Sequence, residues 1–342
     1  MISAAESAAM ARALTLATSP GSPIVGPNPR VGCVILSGDG RIVGEGFHRG
    51  PGTAHAEVAA LTDAGGSAVG GTAVVTLEPC DHTGLTGPCS QALIRAGIRR
   101  VVFAQADPNP IASGGAATLR TAGIEVEGGL CEVQATAINS RWSVAVGRGR
   151  PFVTLKLAAS LDGRIAAADG TSRWISGPQS RAQVHDLRSR VDAVVVGTGT
   201  VIADDPELTD RRDGAEYQPI RAVLGLREVP SAAKVRGAAA PTVFLRTRDL
   251  DDALTDLFAA GVRHVLVEGG ATVAAAFLRS SLVDVLVWYV APVLLGSGRA
   301  AIDDLGIDTI NEAFRWQVES IDTVGGDVRI ELTPLAQNNP RS

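Results

Sequence analysis

The first third of the chain carries one histidine and two cysteines in a pattern typical of a zinc site. His55 is followed by Pro79-Cys80 and then by Pro88-Cys89. A catalytic zinc ion takes three protein ligands and leaves a fourth position open, whereas a structural zinc ion usually fills all four. One imidazole and two thiols give the first count, so the pattern predicts a catalytic zinc site. A purely structural zinc site is the alternative.

A carboxylate lies close to these groups in the sequence, since Glu57 stands two residues after His55. Zinc lowers the pKa of a bound water towards neutrality. A neighbouring carboxylate can then carry a proton to a ring nitrogen and later to departing ammonia. His-x-Glu followed by Pro-Cys is the signature of zinc-dependent nucleobase deaminases, so we predict hydrolytic deamination with Glu57 as the catalytic residue.

Local sequence also favours ionised thiols at this site. Pro79 and Pro88 are suited to the loop or first turn that leads into a helix, whose N-terminal amides stabilise anionic sulfur. The two other cysteines lack such a setting. Cys33 lies in an apolar stretch, and we expect both it and Cys131 to be packed core residues.

The second half of the chain carries glycine-rich turns at the ends of predicted strands. They are Gly197-Thr-Gly-Thr200, Val267-Glu-Gly-Gly270 and Gly296-Ser-Gly298. Ligands bind beyond the carboxyl ends of strands in open α/β sheets, and helix N-termini there attract phosphate. No Gly-x-Gly-x-x-Gly follows the first strand of this half, so the turns indicate a nucleotide site outside a Rossmann fold. Taken singly, each turn is better explained as a tight connection, and only their combination favours a nucleotide site.

The elements that position these residues alternate between helical and extended patterns, which predicts layered α/β domains. In the first part Gly38-Asp-Gly40 has the chemistry of a hairpin turn. The predicted elements are a helix over 3–18, strands over 31–36 and 41–47, a helix over 55–64, a strand over 72–77, a helix over 88–96 and a strand over 100–106.

The turn-rich stretch 146–151 is the predicted domain boundary, and it separates domains at 1–147 and 151–335. The predicted strands of the second domain are 152–157, 192–197, 220–224, 242–245, 264–267 and 283–292. Ser176-Gly-Pro-Gln179 has the form of a capping box and predicts a helix that runs to about residue 190.

Length and composition bound the possibilities further. A chain of 342 residues is long enough for two domains. A net charge of -5 argues against general nucleic-acid binding, which requires clustered Lys and Arg. The sequence has neither a signal-peptide pattern nor an uninterrupted apolar run of about 18 residues. Four cysteines are too few for a disulfide scaffold. We therefore expect a soluble cytoplasmic protein without a nucleic-acid or membrane partner; a homo-oligomer is left open.

Longer motifs in the first domain resemble those of a known family. They are Met10-Ala-Arg-Ala, Pro27-Asn-Pro-Arg-Val-Gly-Cys33, Gly44-Glu-Gly-Phe-His48, His55-Ala-Glu57, Thr76-Leu-Glu-Pro-Cys80-Asp-His-Thr-Gly84 and Asp107-Pro-Asn-Pro110. Commoner deaminases have two residues between the cysteines, whereas eight separate them here. The chain resembles the bifunctional riboflavin-biosynthesis enzymes, in which a diaminohydroxyphosphoribosylaminopyrimidine deaminase is joined to a 5-amino-6-(5-phosphoribosylamino)uracil reductase. The resemblance implies a three-layer, cytidine-deaminase-like first domain in which Asn28 and His48 contact the substrate and His82 lies in a covering loop.

The second domain is similar to the reductase half of the same family. Its motifs are Lys156-Leu-Ala-Ala-Ser-Leu-Asp-Gly163, Ser172-Arg-Trp-Ile-Ser176, Asp204-Asp-Pro-Glu-Leu-Thr209 and Val267-Glu-Gly-Gly270. The resemblance implies a dihydrofolate-reductase-like α/β fold with NADPH as cofactor. The implied NADPH contacts are Ala158, Trp174, Thr200, Asp204, Gly270, Ala271, Thr272, Val273, Ala274, Ala275 and Ala276. The implied substrate contacts are Lys156, Ser172, Arg188, Leu208, Arg211 and Glu268.

Chemistry supports some of these implied roles. A guanidinium offers paired donors to phosphate, so Arg188 and Arg211 are candidate phosphate contacts. An ordinary solvated charge on a helix is the alternative for Arg188. Lys156 and Asp204 are candidates for polar or proton-transfer groups near the sugar carbon that is reduced.

Two stretches depart from the family pattern. The family usually has Pro-Pro-Cys where this chain has Gly87-Pro88-Cys89, a change that removes no zinc ligand. Relatives more often carry Asp-Ser where this chain has Leu224-Gly-Leu-Arg227, so a cofactor contact from that serine is missing.

Together these features predict a zinc-dependent deaminase of a phosphorylated aminopyrimidine, 2,5-diamino-6-ribosylamino-4(3H)-pyrimidinone 5′-phosphate. The predicted second step is the NADPH-dependent reduction of the product's ribosyl group to ribityl. One alternative is a nucleoside or tRNA deaminase joined to an unrelated reductase. Another is a zinc-stabilised binding module without catalysis, which an intact Glu57 argues against.

Overall fold

The chain forms two compact units in a computed structural model that describes residues 1–84 and 86–335. The first unit is Met1–Gly149, and the second begins at Arg150. The predicted turn at 146–151 is partly wrong, because Val146 to Arg148 belong to a helix. That helix ends at Gly149, whose φ of 68° is a left-handed conformation that glycine adopts without strain.

The first unit is built on a five-stranded mixed sheet. Its strands are β1 (Gly32–Leu36), β2 (Ile42–Phe47), β3 (Thr72–Leu77), β4 (Arg100–Gln105) and β5 (Glu125–Gly128). Its helices are α1 (Ala4–Ala17), α2 (Ala56–Ala64), α3 (Cys89–Arg95), α4 (Gly115–Thr121), α5 (Glu132–Ile138) and α6 (Ser140–Arg148). The sheet order is β2-β1-β3-β4-β5. The β1–β2 hairpin is antiparallel as predicted, whereas β3, β4 and β5 run parallel.

Side chains that alternate along β1 divide this unit into three layers. Val34 and Leu36 pack with α1 on one face of the sheet. Cys33 and Ile35 point to the opposite face and pack with α2, α3 and α4. Because successive strand residues face opposite sides, a fully buried strand requires helices on both faces. The prediction that Cys33 is a core residue is confirmed; Cys131 is only half-buried, with a φ of 60°.

Glycines in β2 allow α2 to lie directly against the sheet. A Cβ at Gly44 would overlap the carbonyl oxygen of Ala60, and a Cβ at Gly46 would overlap the backbone of both Ala56 and Ala60. Only glycine permits this close approach of strand and helix. The start of α2 is thereby fixed relative to β1 and β2.

The second unit is built on an eight-stranded sheet. The strands of this unit are β6 (Phe152–Ser160), β7 (Arg164–Ala166), β8 (Ala193–Gly197), β9 (Ile220–Leu224), β10 (Thr242–Leu245), β11 (His264–Val267), β12 (Val285–Ala291), β13 (Arg299–Ala300), β14 (Trp316–Val324) and β15 (Asp327–Pro334). Its helices are α7 (Pro178–Arg188), α8 (Thr198–Asp204), α9 (Leu250–Ala259) and α10 (Ala271–Arg279). The order of the large sheet is β10-β9-β8-β11-β6-β12-β15-β14, and β7 pairs with β13.

The first six strands in that order are parallel, and the last two pairings are antiparallel. Helices α9 and α10 pack on one face of the sheet in the largest hydrophobic core. Residues of α7 and α8 pack on the other face. The glycine-rich turns after β8 and β11 therefore lie at the same, carboxyl edge of neighbouring parallel strands.

The predicted capping box at the start of α7 is wrong. The N-cap is Gly177 rather than Ser176, and it makes no side-chain cap hydrogen bond. Pro178 stands in the first turn, where its fixed φ suits a helix. A distant carboxylate takes the place of the local cap, because Asp327 Oδ2 accepts from Gly177 N (2.7 Å) and from Ser180 Oγ (2.6 Å).

No helix within residues 1–84 and 86–335 is long and apolar enough to cross a membrane.

Candidate functional site

Three predicted ligands converge in the first unit. His55 Nδ1 lies 3.5 Å from Cys80 Sγ and 3.3 Å from Cys89 Sγ. The three donor atoms all lie within 4.8 Å of one another. A tetrahedral zinc ion with bonds of about 2.0–2.3 Å fits ligand atoms at such separations. One nitrogen and two sulfurs are also the donor types that zinc prefers, so the site fits this metal.

Each ligand comes from a different element. His55 is the N-cap of α2, and Cys89 is the first residue of α3. Cys80 follows β3, in the loop that leads into α3. The Cys80 sulfur accepts from Cys89 N, at the start of that helix, at 3.5 Å. The side chain of Cys89 and then His55, with a smaller contribution from Cys89 N, lower the pKa of Cys80 to about 4, which favours a thiolate ligand.

Two carboxylates that the sequence analysis did not single out hold the Cys80 loop. Asp81 accepts from Ser90 Oγ at 2.5 Å and from Thr118 Oγ1 at 2.6 Å. Glu78 accepts from the backbone of Asp107 at 3.2 Å and of Ala116 at 3.0 Å. Both lie in the Thr76-to-Gly84 motif, so the motif fixes a loop conformation as well as supplying a ligand.

Glu57 lies beside this centre and is only 4% exposed. Burial, with a further contribution from the Cys80 sulfur, raises the pKa of Glu57 to about 7. A carboxyl group with a pKa near neutrality is suited to both accepting and donating a proton. Glu57 also lines the cavity described next.

A cavity of about 200 Å³ is lined by two of the three converging ligands, His55 and Cys80. Asn28, His48 and His82, the three predicted substrate contacts, all line it. Asn28 Nδ2 lies 2.9 Å from His48 Nε2, and His48 Nδ1 lies 3.2 Å from Ala54 O. Because a carbonyl can only accept, His48 carries its proton on Nδ1 and accepts from Asn28 through Nε2. His82 Nδ1 is buried without a hydrogen-bond partner in the described part of the chain.

Asp107 and Asn109 also line the cavity, although the sequence analysis gave them no role. Burial raises the pKa of Asp107 to about 6, although the hydrogen bond from Asn109 N opposes the shift. The Asp107-Pro-Asn-Pro110 motif was the signal that pointed to them. Polar side chains at the mouth of an otherwise buried centre are candidates for substrate contacts.

Three charged residues meet in the second unit. Arg188, at the end of α7, donates to Glu268 Oε1 at 2.7 Å and to Oε2 at 3.0 Å. Burial opposes the charged form of Glu268, but Arg188 and Lys156 outweigh it and lower the pKa of this carboxyl group. Burial, which outweighs the attraction of Glu268, lowers the pKa of Lys156. A half-buried lysine with a lowered pKa is a candidate proton donor.

The other predicted substrate contacts of this unit differ in exposure. Arg188 is buried and its guanidinium also donates to Thr209 O, so the alternative of a solvated surface charge is wrong. Arg211 has a half-exposed side chain and lies 3.7 Å from Glu207. Leu208 is buried with a φ of 58°, and Ser172 is half-buried.

Predicted NADPH contacts meet at the carboxyl edge of the large sheet. Thr200 Oγ1 accepts from Gly270 N at 3.2 Å and so joins α8 to the start of α10. A Cβ at Gly197 or at Gly269 would come within 2.8 Å of Val273 side-chain atoms. The two turns thus stay free of side chains, and α10 begins there without a side-chain cap. Backbone amides at such a helix start suit the phosphates of a dinucleotide, so the site fits NADPH.

The remaining predicted NADPH contacts fall into two groups. Ala271, Ala274 and Ala275 are fully buried in the hydrophobic core. Of the predicted contacts in α10, only the side chains of Thr272, Val273 and Ala276 are therefore accessible to NADPH. Trp174 is 68% exposed and stacks under the Arg181 guanidinium at 4.5 Å. Ala158 lies in β6. Asp204 is the last residue of α8, and its backbone carbonyl accepts from Arg173 Nη2 at 2.9 Å.

Comparison with known proteins matches each half of the chain to a known domain family. The family model for the cytidine and deoxycytidylate deaminase zinc-binding region matches residues 3–105, and the RibD C-terminal domain matches residues 151–330. Riboflavin biosynthesis protein RibD of Mycobacterium tuberculosis H37Rv is 47% identical over 310 residues, which cover 90% of this chain and 91% of that protein. The match over the second half contradicts the alternative of an unrelated reductase.

Two solved structures share the fold along nearly the whole chain. Acinetobacter baumannii RibD, form 1, is 39% identical with a TM-score of 0.85, and the match covers 97% of this chain and 99% of that one. A diaminohydroxyphosphoribosylaminopyrimidine deaminase/5-amino-6-(5-phosphoribosylamino)uracil reductase from Thermotoga maritima is 32% identical with a TM-score of 0.82 and the same coverage. These matches confirm the predicted α/β fold class of both halves. The chain belongs to the RibD family of riboflavin biosynthesis proteins, and it is a bifunctional deaminase and reductase that uses zinc and NADPH.

Proposed function

We propose that the first unit removes an amino group from 2,5-diamino-6-ribosylamino-4(3H)-pyrimidinone 5′-phosphate and that the second unit reduces the ribosyl group of the product. The observation that carries the first assignment is the convergence of His55, Cys80 and Cys89 beside Glu57 at one cavity. The names of the relatives support the choice of substrate. Use of one phosphorylated pyrimidine by both units in turn gives a physical reason for their fusion.

In the proposed deamination His55, Cys80 and Cys89 hold the zinc ion. When bound, zinc supplies a Lewis acid that lowers the pKa of water. Glu57 accepts a proton from the attacking water and passes it to the pyrimidine ring nitrogen. After the hydroxide has added to the ring carbon, Glu57 takes the second proton from the added oxygen and gives it to the amino group. The carbon–nitrogen bond then breaks, ammonia leaves and the carbonyl forms. The raised pKa of Glu57 favours this exchange at neutral pH.

The polar groups around the cavity are proposed to orient the substrate. The Asn28 amide nitrogen donates to His48 Nε2. We propose that Asn28 Oδ1 accepts from an amino group of the ring. His82 Nδ1 is buried without a partner among the described residues and is proposed to bind the substrate. Asp107 and Asn109 are proposed to contact the sugar.

In the proposed reduction NADPH lies along the carboxyl edge of the large sheet. NADPH supplies a hydride to C1 of the ring-opened ribose, and one proton is taken up with it. Thr200 and the start of α10 at Gly270 are proposed to hold the cofactor, with Ala158, Trp174 and Asp204 beside it. The junction of Thr200 with Gly270 supports this placement.

The charged cluster is proposed to hold the sugar and supply the proton. Lys156 is the proposed proton donor, since its pKa is lowered and Glu268 lies close enough to act on its charge. Arg188 is already paired with Glu268, so we assign it to positioning that carboxylate. Arg211 is half-exposed and is the proposed phosphate contact, with Ser172 and Leu208 beside the substrate.

The experiment that tests both assignments uses the full-length chain and the diaminopyrimidine phosphate. Ammonia release and NADPH consumption are followed separately, with and without NADPH. We expect ammonia in both reactions and NADPH consumption only after deaminated product has formed. NADPH that persists in the presence of that product would overturn the reductase assignment, and absence of ammonia would overturn the deaminase assignment.

The remaining proposals concern the cellular compartment and the partners of the protein. We propose a cytoplasmic enzyme without a nucleic-acid partner; its four free cysteines and net charge of -5 support this. A homo-oligomer stays open.

A further inference from the structure

Arg227 lies at the carboxyl edge of the large sheet, in the turn that follows β9. Gly225 N donates to Leu245 O at 3.0 Å, which keeps this turn beside the end of β10. A Cβ at Gly225 would lie 2.9 Å from Thr198 Oγ1, so the turn also packs on the start of α8. Gly225 has a φ of 128°, which only glycine adopts readily. The path of the turn is therefore fixed on both sides.

The Arg227 side chain extends to the first turn of helix α8. A Cβ at Gly199 would overlap Arg227 Nη2, so the guanidinium occupies the space that the missing side chain leaves. Gly199 is followed by Thr200, whose hydroxyl binds Gly270 N. Arg227 thus lies against the first turn of α8, which carries the proposed NADPH contact Thr200.

No counter-charge neutralises Arg227 within residues 1–84 and 86–335. Its side chain is exposed, and the described residues give it neither a hydrogen bond nor an ion pair. By contrast, Arg188 pairs with Glu268 and Arg212 with Asp210 in the same unit. An unpaired guanidinium at the ligand edge of a sheet is available to an anion.

The sequence of the turn makes Arg227 its single cationic side chain. Its neighbours Gly225 and Leu226 have no side-chain donor for a phosphate. NADPH differs from NADH only by the 2′-phosphate of its adenosine ribose. A guanidinium binds phosphate through paired, charged donors, and an arginine often serves the 2′-phosphate in dinucleotide sites.

We propose that Arg227 binds the 2′-phosphate of NADPH and is the residue by which this reductase distinguishes NADPH from NADH. The inference rests on the proposed NADPH site at the same edge.

The test measures binding without turnover. Full-length protein is titrated by calorimetry with adenosine 2′,5′-bisphosphate and with 5′-AMP, which differ only in the 2′-phosphate. Wild type is compared with Arg227→Ala, with Arg227→Lys, and with Arg99→Ala, which removes an exposed charge from the other unit. Because a hydrogen bond to a charged group is lost, Arg227→Ala should weaken the bisphosphate about 10- to 100-fold and leave 5′-AMP unchanged. Arg227→Lys should keep part of the preference, and Arg99→Ala all of it.

Steady-state rates with NADPH and with NADH provide the second readout. The ratio of kcat/KM values, NADPH over NADH, should fall about 10- to 100-fold in Arg227→Ala. Equal weakening of both adenosine ligands, or an unchanged cofactor ratio, would overturn the proposal. A wild type that consumes NADPH but does not prefer the bisphosphate would overturn it while the reductase assignment stands. A wild type that prefers the bisphosphate but consumes no NADPH with deaminated substrate would count against the reductase assignment alone.

Discussion

Asn139 holds the backbone of Arg30 through both atoms of its side-chain amide. Arg30 N donates to Asn139 Oδ1, and Asn139 Nδ2 donates to Arg30 O, each at 2.8 Å. Trp142 Nε1 fixes the same segment by donating to Pro27 O at 2.8 Å. The loop that carries Asn28 into the cavity is therefore positioned by helix α6 and the residue before it.

Asn139→Ala should impair substrate binding more than chemistry. Two backbone groups of Arg30 lose their partners at a cost of about 1–3 kcal/mol each if they stay buried, so the loop should shift. We expect the KM for the diaminopyrimidine to rise about tenfold, with a smaller change in kcat and no change in zinc content. Reductase activity on deaminated substrate in the same protein should stay intact. An unchanged KM, or a parallel loss of both activities, would argue against a positioning role; Asn311→Ala, in an exposed turn, is the matched control.

Glu57→Gln should abolish deamination without releasing zinc. The amide keeps the shape of the side chain but cannot accept a proton, and general acid–base groups contribute about 100- to 10,000-fold to rate. Ammonia release is the readout, with metal content measured on the same sample. The control is Glu132→Gln at an exposed position in α5. Equal ammonia release by wild type and Glu57→Gln would remove Glu57 from the mechanism.

Gly46→Ala should destabilise the first unit and weaken zinc retention. The added Cβ would overlap the backbone of Ala56 and Ala60, so α2 must move, at a cost of about 1–3 kcal/mol in the free energy of unfolding. Because His55 is the N-cap of α2, displacement of the helix also disturbs the metal site. Gly66→Ala is the control, since a Cβ there meets no atom within 4 Å. Equal effects of the two substitutions on denaturant unfolding would contradict the packing argument.

Glu268→Gln should destabilise the second unit in a manner that depends on pH. Truncating one partner of a buried ion pair costs about 3–5 kcal/mol, because Arg188 is left without its counter-charge. The pKa of Glu268 is lowered below its usual 4.5 in the folded protein. Its contribution is therefore fully present above pH 4.5 and is lost as the pH falls through the lower, folded value. The gap in unfolding free energy between wild type and Glu268→Gln should narrow on acidification; a gap that widens would contradict the pairing.

Much of the fold follows from local sequence patterns. The strand β3 is predicted over its full length, because Thr72 to Leu77 form a short apolar run bounded by glycine and proline. The elements that were not predicted are α4, α5, α6, β5, β7, α8, α9, β13 and the terminal pair β14 and β15. Strand β14 is exposed along most of its length, so it lacks the alternation on which a strand prediction depends.

The parts of the sites that local patterns miss depend on partners far away in the chain. Asn139 acts on a residue 109 positions earlier, and Asp327 caps a helix 150 positions earlier. A short sequence motif cannot indicate contacts between residues so far apart in the chain. The zinc ligands were predictable because metal chemistry restricts both the residue types and the flanking turns.

The central claim, that one imidazole and two thiols hold the zinc ion that deamination requires, is tested most directly by removing and restoring the metal. Zinc content and ammonia release are measured on the full-length protein as purified, after chelation, and after titration with zinc. We predict one zinc per chain and ammonia release that falls with chelation and returns in proportion to zinc, in wild type but not in Cys89→Ser. Undiminished ammonia release from metal-free protein would contradict the account.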